Sequence, residues 1–416
     1  MLNIFNIKYL DSKVFTPTII ALLILAMLCL PIISYYKKSK AIINSKDEKV
    51  NVSYIDTAFA RLFDAQIKEK MAFHKCPGVA IMVMKDNHII FSKQYGSKSV
   101  NNFQPIDKET VFRLGSVSKG FAGILAAILI DKNIINLDDA VSMYIPELSL
   151  KAKTKDKILR VRHILTHSTG LTEHAFSNLV DENHPMSTII SNLNRLTPRD
   201  STGKSYAYQN ATYGLIEKVI EQATGMSYEQ ALDFYILSPL DMCGTSCTYE
   251  ALCHAQNVSG GHKYGGSRAG FVPLPHSPHY YNVPSAGGIN APMSDMQKWL
   301  SAIMGYQKNA IPQSALNIAF TPYISTIDDD KYFNSWPGAV DSHYGLGWRI
   351  IQTKLNYIIY HGGMVNGFRS EIAFDPVKKL GIVFLSNSTC SYSSQSVPLF
   401  FQLWDEYIYP CDHNFL

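Results

Sequence analysis

Phe112-Arg113-Leu114-Gly115-Ser116-Val117-Ser118-Lys119 opens a run that stays apolar almost without break to Ile130. The run predicts a buried helix with Ser116 and Lys119 at its start. Positions three apart share a helix face, so the Ser116 hydroxyl and the Lys119 amine would meet where water is partly excluded. Desolvation disfavours the ammonium form and lets the lysine take a proton from the hydroxyl. Backbone N–H groups at the head of the helix would face an anionic oxygen. This is the arrangement for an enzyme that is acylated on its own serine. The spacing alone is common: Ser34–Lys37 and Ser201–Lys204 repeat it. Only the copy at 116–119 leads a long apolar helix and so acquires the environment the chemistry needs.

Working outward, residues 55–73 place Ile55, Phe59, Leu62, Phe63 and Ile67 on one helical stripe. Residues 79–84 and 89–92 read as a β-hairpin across Lys85-Asp86-Asn87-His88. Helix signals dominate from 116 to 240, including a segment over 211–223 that carries Leu215, Ile216, Val219 and Ile220 on one face and stops at Gly225. Residues 254–290, rich in Gly, His, Pro, Ser and Tyr, read as a long ordered loop. Four strands at 344–352, 356–360, 369–374 and 380–385 form a meander, with Asp375-Pro376-Val377-Lys378-Lys379 as one turn, and a helix at 397–409 closes the chain. Strands at both ends of a helical middle imply an α+β fold. Its antiparallel sheet is built from both ends of the chain and flanked by helices, with a helical lobe inserted at about 116–280.

At 416 residues the chain can bury a large core, and its 46% apolar and 17% charged composition is ordinary for a globular protein. A net charge of +4 with no dense Lys/Arg run is too mild to imply a nucleic-acid partner, and none is expected. The N-terminus departs from the rest. Residues 14–36 contain no charge, long enough to span a bilayer, and no small-x-small cleavage site follows before Lys37. The expected organisation is therefore a tail and single-pass transmembrane anchor at 1–36, a polar linker at 37–52 and a catalytic domain at 53–416. Lys37, Lys38 and Lys40 after the span favour a cytoplasmic catalytic part by the positive-inside rule. The six cysteines beyond the span (Cys76, Cys243, Cys247, Cys253, Cys390 and Cys411) are an even number compatible with disulfides, and favour an extracytoplasmic, periplasmic one. The second placement is the expectation adopted.

Two further segments can complete a serine site. Tyr206-Ala207-Tyr208-Gln209-Asn210 precedes the 211–223 helix, where a phenol could relay a proton and an amide could hold a substrate carbonyl. Tyr-x-Asn also occurs at Tyr280–Asn282 and Tyr332–Asn334. Tyr360-His361-Gly362-Gly363-Met364 ends an apolar strand, and its glycines would let a ligand approach the strand backbone.

Together these segments carry a resemblance. With Pro77-Gly78-Val79-Ala80, Leu137-Asp138-Asp139, His163-Ile164-Leu165-Thr166-His167-Ser168-Thr169-Gly170-Leu171, Ser285-Ala286-Gly287-Gly288 and Tyr344-Gly345-Leu346-Gly347-Trp348, the chain resembles the serine β-lactamase-related superfamily. The branch is that of class C β-lactamases, D-alanyl-D-alanine carboxypeptidases and their esterase relatives. The resemblance implies a β-lactamase/transpeptidase-like fold, Ser116 as nucleophile, Lys119 as its proton acceptor and Tyr208 as shared acid/base. It implies that Asn210 orients a substrate amide and that the backbone N–H groups of Ser116 and Met364 form the oxyanion hole, with His361 and Gly363 in the substrate-binding strand. Two departures matter. His361-Gly362-Gly363 stands where β-lactamases of this branch carry Lys-Thr-Gly, which resembles the peptidase and esterase members, and the second box reads Tyr-Gln-Asn.

The reading is a serine acyl hydrolase or transferase for small esters, amides or D-amino-acid peptides, with no cofactor. The alternative is a catalytically idle penicillin-binding-like protein that binds a peptide or cell-envelope ligand in the same cleft. Retention of Ser116, Lys119, Tyr208 and Asn210 together favours the enzyme. His163 and His167 are four apart as zinc ligands can be, but no Glu follows the first, so no metal is expected. Cys243, Cys247, Cys253 and His254 have only loose metal-like spacing. Gly203-Lys204-Ser205 lacks the leading glycine of a phosphate loop, and no G-x-S-x-G exists.

Overall fold

The computed structural model describes residues 52–151, 158–328 and 335–409. The anchor expected at 14–36, Ser34–Lys37, Tyr332–Asn334 and Cys411 all lie outside the described residues. Contacts divide the chain after Ile55, and residues 56–416 form the unit described here. Among the described residues no helix is long and apolar enough to cross a membrane.

The chain enters through helix α1 (Val52–His74) and then forms β1 (Gly78–Lys85), β2 (His88–Ser99) and β3 (Asn102–Pro105). The β1–β2 hairpin turns on Asp86 and Asn87, both at positive φ (49° and 64°), the conformation that matches the twist of the flanking strands. After the short β4 (Val111–Arg113), a 3₁₀ turn over Gly115–Val117 leads into α2 (Ser118–Asp131). The apolar run is thus a buried helix, but the α-helix begins two residues after Ser116. A 3₁₀ first turn tightens the backbone at the point where β4 hands over to the helix.

In the helical lobe, α3 (Leu215–Thr224) buries Leu215, Ile216, Val219 and Ile220 and stops at Gly225, whose φ of 71° is a left-handed C-cap. The loop expected at 254–290 contains local structure: a small hairpin of β5 (His262–Tyr264) and β6 (Phe271–Pro273), and the one-turn helix α4 (Pro284–Gly287). Three-residue strands bounded by Gly and Pro leave too little periodicity to read from sequence. Then β7 (Asn290–Pro292) pairs with β4, and α5 (Met293–Ile303) follows.

The meander returns as β8 (Ile324–Ser325), β9 (Ala339–Tyr344), β10 (Arg349–Thr353), β11 (Tyr357–Val365), β12 (Phe368–Asp375) and β13 (Leu380–Ser386). Gly345–Trp348 is a turn between β9 and β10, where sequence patterning joins the two strands into one. The closing helix α6 (Ser391–Ile408) starts six residues earlier than expected and carries Pro398 inside it.

These strands make one antiparallel nine-stranded sheet, ordered β3-β2-β1-β13-β12-β11-β10-β9-β8. The first and last of the described strands meet in its interior, Val79 opposite Ser386. Helices α1 and α6 pack together through Phe59 against Phe400 and Trp404, with ring centroids 6.0 and 4.8 Å apart. Helices α2 and α5 meet through the stacked rings of Phe121 and Trp299, 3.9 Å apart. Cys76 and Cys390 form a disulfide that ties the start of β1 to the start of α6. Cys243, Cys247 and Cys253 are free, so the even cysteine count resolves into one described bridge. The architecture is the α+β fold expected from the sequence: an antiparallel sheet flanked by helices, with α2 in the core shared with the helical lobe.

Candidate active site

Ser116 and Lys119 meet as their spacing predicts, with Lys119 Nζ 3.3 Å from Ser116 Oγ. The two differ in exposure: Lys119 is fully buried, whereas Ser116 is partly open to solvent. Lys119 Nζ also donates to Asn210 Oδ1 and to the backbone carbonyl of Ala286, each at 2.7 Å. Its ammonium form is disfavoured first by burial and second by the neighbouring Arg349 guanidinium, and both hold its pKa well below the usual lysine range. In the neutral form the amine has two hydrogens and one lone pair; with Asn210 and Ala286 accepting the hydrogens, the lone pair would face Ser116.

Tyr208 arrives on the strand-like segment ahead of Asn210, and Lys119 Nζ lies 4.8 Å from the centre of its ring. Asn210 heads the short helical turn Asn210–Tyr213, and its Nδ2 donates to the Tyr280 hydroxyl at 3.0 Å. With one end of the amide fixed by Tyr280 and the other by Lys119, the orientation of Asn210 is determined by its partners. The neighbouring Gln209 is buried and ties this segment to the lobe: its Oε1 accepts from Thr169 and Thr212, both at 2.7 Å. The enlarged middle residue of Tyr-Gln-Asn is therefore a structural strut.

The third segment lies on β11, against the 3₁₀ turn. An added Cβ at Gly363 would come within 2.0 Å of the Leu114 carbonyl and 2.8 Å of the Ser116 nitrogen. One at Gly115, whose φ is 53°, would come within 2.7 Å of the Met364 nitrogen. Only glycine at both places allows this approach, which brings the β11 backbone at Gly363 and Met364 against the turn at Gly115 and Ser116. Ser370 on β12 donates to the Leu114 carbonyl and fixes the turn from behind. The Met364 side chain itself is exposed.

His361 occupies a different place from the other residues read from the sequence. It is buried, with Nδ1 2.8 Å from the Gly362 carbonyl and Nε2 3.0 Å from the Tyr344 hydroxyl. Burial, then Arg349 and Lys119, hold its pKa well below the usual histidine value, so it is neutral. Arg349, also buried, lies 5.7 Å from the Tyr208 ring and 5.6 Å from the Tyr344 ring. His167 packs 4.4 Å from the Tyr208 ring, and its Nδ1 accepts from the Gln209 backbone N–H at 3.3 Å. His163 Nδ1 instead accepts from the Arg160 backbone N–H at 3.1 Å.

Of the residues read from the sequence, Ser116, Lys119, Tyr208, Asn210, Gly363 and Met364 come together in the structure, while the His361 side chain is buried. Sequence patterning gives no role to Arg349, His167, Tyr344 or the Ala286 carbonyl. Ser285-Ala286-Gly287-Gly288 is legible as a block, but a backbone acceptor leaves no side-chain signature. The other Ser-x-x-Lys is a surface ion pair: Lys204 is exposed and sits 3.0 Å from Asp200.

The chain is similar to known proteins at low identity. The chain is 22% identical over 336 residues to Protein flp of Staphylococcus aureus (strain MW2), covering 79% of this chain and 63% of that one. It is 26% identical over 370 residues to Unguisins hydrolase ungD of Aspergillus violaceofuscus, covering 83% of this chain and 64% of the relative. It thus spans less than two thirds of either. Its fold superposes on the octameric penicillin-binding protein homologue from Pyrococcus abyssi with a TM-score of 0.71 and 24% identity, covering 85% of this chain and 78% of that one. A profile of the Beta-lactamase family matches residues 63–396, which include the Ser116 turn, the Tyr208 segment and strand β11. On that match, the chain belongs to the Beta-lactamase family.

Proposed function

We propose that this protein is a serine hydrolase that forms an acyl-enzyme on Ser116 and acts on small esters, amides or D-amino-acid peptides. The observation that carries the reading is the buried Lys119 nitrogen, which donates to Asn210 Oδ1 and the Ala286 carbonyl at 2.7 Å while Ser116 Oγ lies 3.3 Å away. Lys119 takes the hydroxyl proton as Ser116 Oγ attacks the acyl carbon. The oxyanion is received by the Ser116 and Met364 N–H groups. Tyr208 passes the proton to the departing group, and water repeats the sequence in reverse to free the serine. Asn210, with its second amide hydrogen, holds the substrate carbonyl or side-chain amide.

Uncharged esters are the favoured substrates. The family's carboxylate-binding lysine is replaced by His361, which is buried and neutral. Short-chain ester hydrolysis should exceed penicillin or cephalosporin turnover in kcat/KM at pH values on both sides of about 6.5. The Cys76–Cys390 bridge supports an extracytoplasmic location for this domain, behind the anchor read at 14–36.

The test is intact-mass measurement of the full-length protein after exposure to a fluorophosphonate, a p-nitrophenyl ester and a fluorescent penicillin. One adduct, absent in Ser116→Ala, is expected with the ester and the fluorophosphonate. An adduct that survives in Ser116→Ala would sink the assignment. Faster turnover of cephalosporins than of esters would replace the ester reading with a β-lactamase one.

A further inference from the structure

Glu217 is a buried carboxyl on α3 that the acylation chemistry does not use. Its Oε1 accepts from both the backbone N–H of Ser285, at 2.8 Å, and the Ser285 hydroxyl, at 2.6 Å. The next residue is Ala286, whose carbonyl accepts from Lys119 Nζ at 2.7 Å. The turn that carries it, α4, has only four residues, with Ala286 N–H on the Val283 carbonyl at 2.9 Å and Gly288 N–H on Pro284 at 3.0 Å. A single turn has little rigidity of its own. Two convergent bonds to one residue do something packing cannot: they fix the rotation of the turn, and with it the direction of the Ala286 carbonyl.

We propose that Glu217 is a positioning residue for the general base, holding the Ser285–Ala286 turn so that Ala286 takes one hydrogen of the Lys119 amine and the lone pair stays on Ser116. This rests on the reading of Lys119 as the base. Burial, opposed by the Ser285 bonds, pushes the Glu217 carboxyl up to about 8, with Glu221 adding to the rise and Lys218 opposing it. Tyr228, on the adjoining helix, and Cys247, in the loop before the next, are the other titratable groups that sense it. At neutral pH Glu217 is therefore mostly the neutral acid, and glutamine is its closest match in shape and in acceptor capacity.

The experiment uses full-length Glu217→Gln, Glu217→Met and Ser285→Ala proteins. Two quantities are read: the fluorophosphonate acylation rate against pH, and the titration of the ¹⁵N-labelled Lys119 amine by NMR, assigned by its loss in Lys119→Met. Glu217→Gln should keep the rate within about threefold and leave the lysine titration in place. Glu217→Met should lower the rate about 10- to 100-fold, the range for a slightly misplaced catalytic group. It should also move the lysine titration to lower pH, because a carbonyl that favours the ammonium form is no longer held against it. A merely structural glutamate would slow acylation without moving that titration. If Glu217→Met does not fold, Ser285→Ala should show the same downward shift at smaller amplitude. A lysine titration unchanged in both folded variants, or a Gln variant as impaired as Met, overturns the proposal. Absence of any wild-type adduct would instead refute the hydrolase reading, and the lysine titration would still decide the role of Glu217.

Discussion

The Tyr344 hydroxyl donates to His361 Nε2 across 3.0 Å, and this contact settles the state of the histidine. The other nitrogen, Nδ1, faces the Gly362 carbonyl at 2.8 Å, and a carbonyl can only accept. Nδ1 therefore carries the proton, and Nε2 needs a donor. Tyr344→Phe leaves a buried acceptor unpaired and should lower stability by about 1–3 kcal/mol, read as the urea midpoint. An unchanged midpoint would contradict the assigned tautomer.

The pH dependence of stability follows from buried groups of both signs. Burial holds His167 and His361 well below 6.5 and lowers His163 to about 4. Each binds a proton more readily when unfolded, so its contribution is present above about 6.5 and is lost as pH falls toward the folded pKa. Glu217 is raised from 4.5 to about 8, so its contribution is present below 4.5 and is lost as pH rises through about 8. Glu217→Gln should therefore flatten the alkaline side of a urea-midpoint profile and leave the acid side as it is. A variant profile parallel to wild type from pH 5 to pH 9 would refute this account of Glu217.

Tyr208→Phe removes one hydroxyl and little volume. Stability should change by no more than about 1 kcal/mol, and turnover should fall by about two to four orders of magnitude. Full turnover in the variant would mean that another group transfers the proton, with Tyr280, 3.0 Å from Asn210, the first to examine.

Gly363→Ala tests the oxyanion hole through the backbone. Its Cβ would fall 2.0 Å from the Leu114 carbonyl, so β11 or the 3₁₀ turn must move. The expected cost is about 1–3 kcal/mol of stability, together with loss of the Ser116 adduct. A variant that is acylated at the wild-type rate would show that the Met364 N–H is not a donor to the reacting oxygen.

Tyr280→Phe frees one end of the Asn210 amide. Tyr280 also bonds Asp181, whose carboxyl is raised above the usual aspartate value chiefly by burial. The variant should fold normally and lose roughly tenfold in kcat, with KM less affected, since the amide can then turn its nitrogen toward Lys119. A change in KM alone would assign Tyr280 to substrate binding instead.

The parts of this site that sequence discloses are those with a side chain at a fixed spacing. Ser116 and Lys119 are legible because a helix converts three residues into a contact, and Gly363 because glycine in an apolar strand announces a close approach. The groups behind the lysine are less visible. Ala286 offers only a carbonyl, and Glu217 reads as one more polar residue on an amphipathic helix until its burial is seen. At the fold level, long continuous apolar segments such as α2 and β13 are plain, while β5, β6 and β8 are too short to carry a signal. Gly345–Trp348 read as strand because Leu346 and Trp348 are apolar, yet they are buried within a turn.

The pairing of Val79 with Ser386 has a consequence for synthesis. The three-stranded piece β3-β2-β1 is complete early, but the edge of β1 must wait some three hundred residues for its neighbour. An unpaired edge of this kind invites pairing with other chains. Contacts this distant in sequence also form slowly. The chain is thus a poor candidate for folding as it emerges from the ribosome. A nascent chain that stops short of β13 has no sheet it can close.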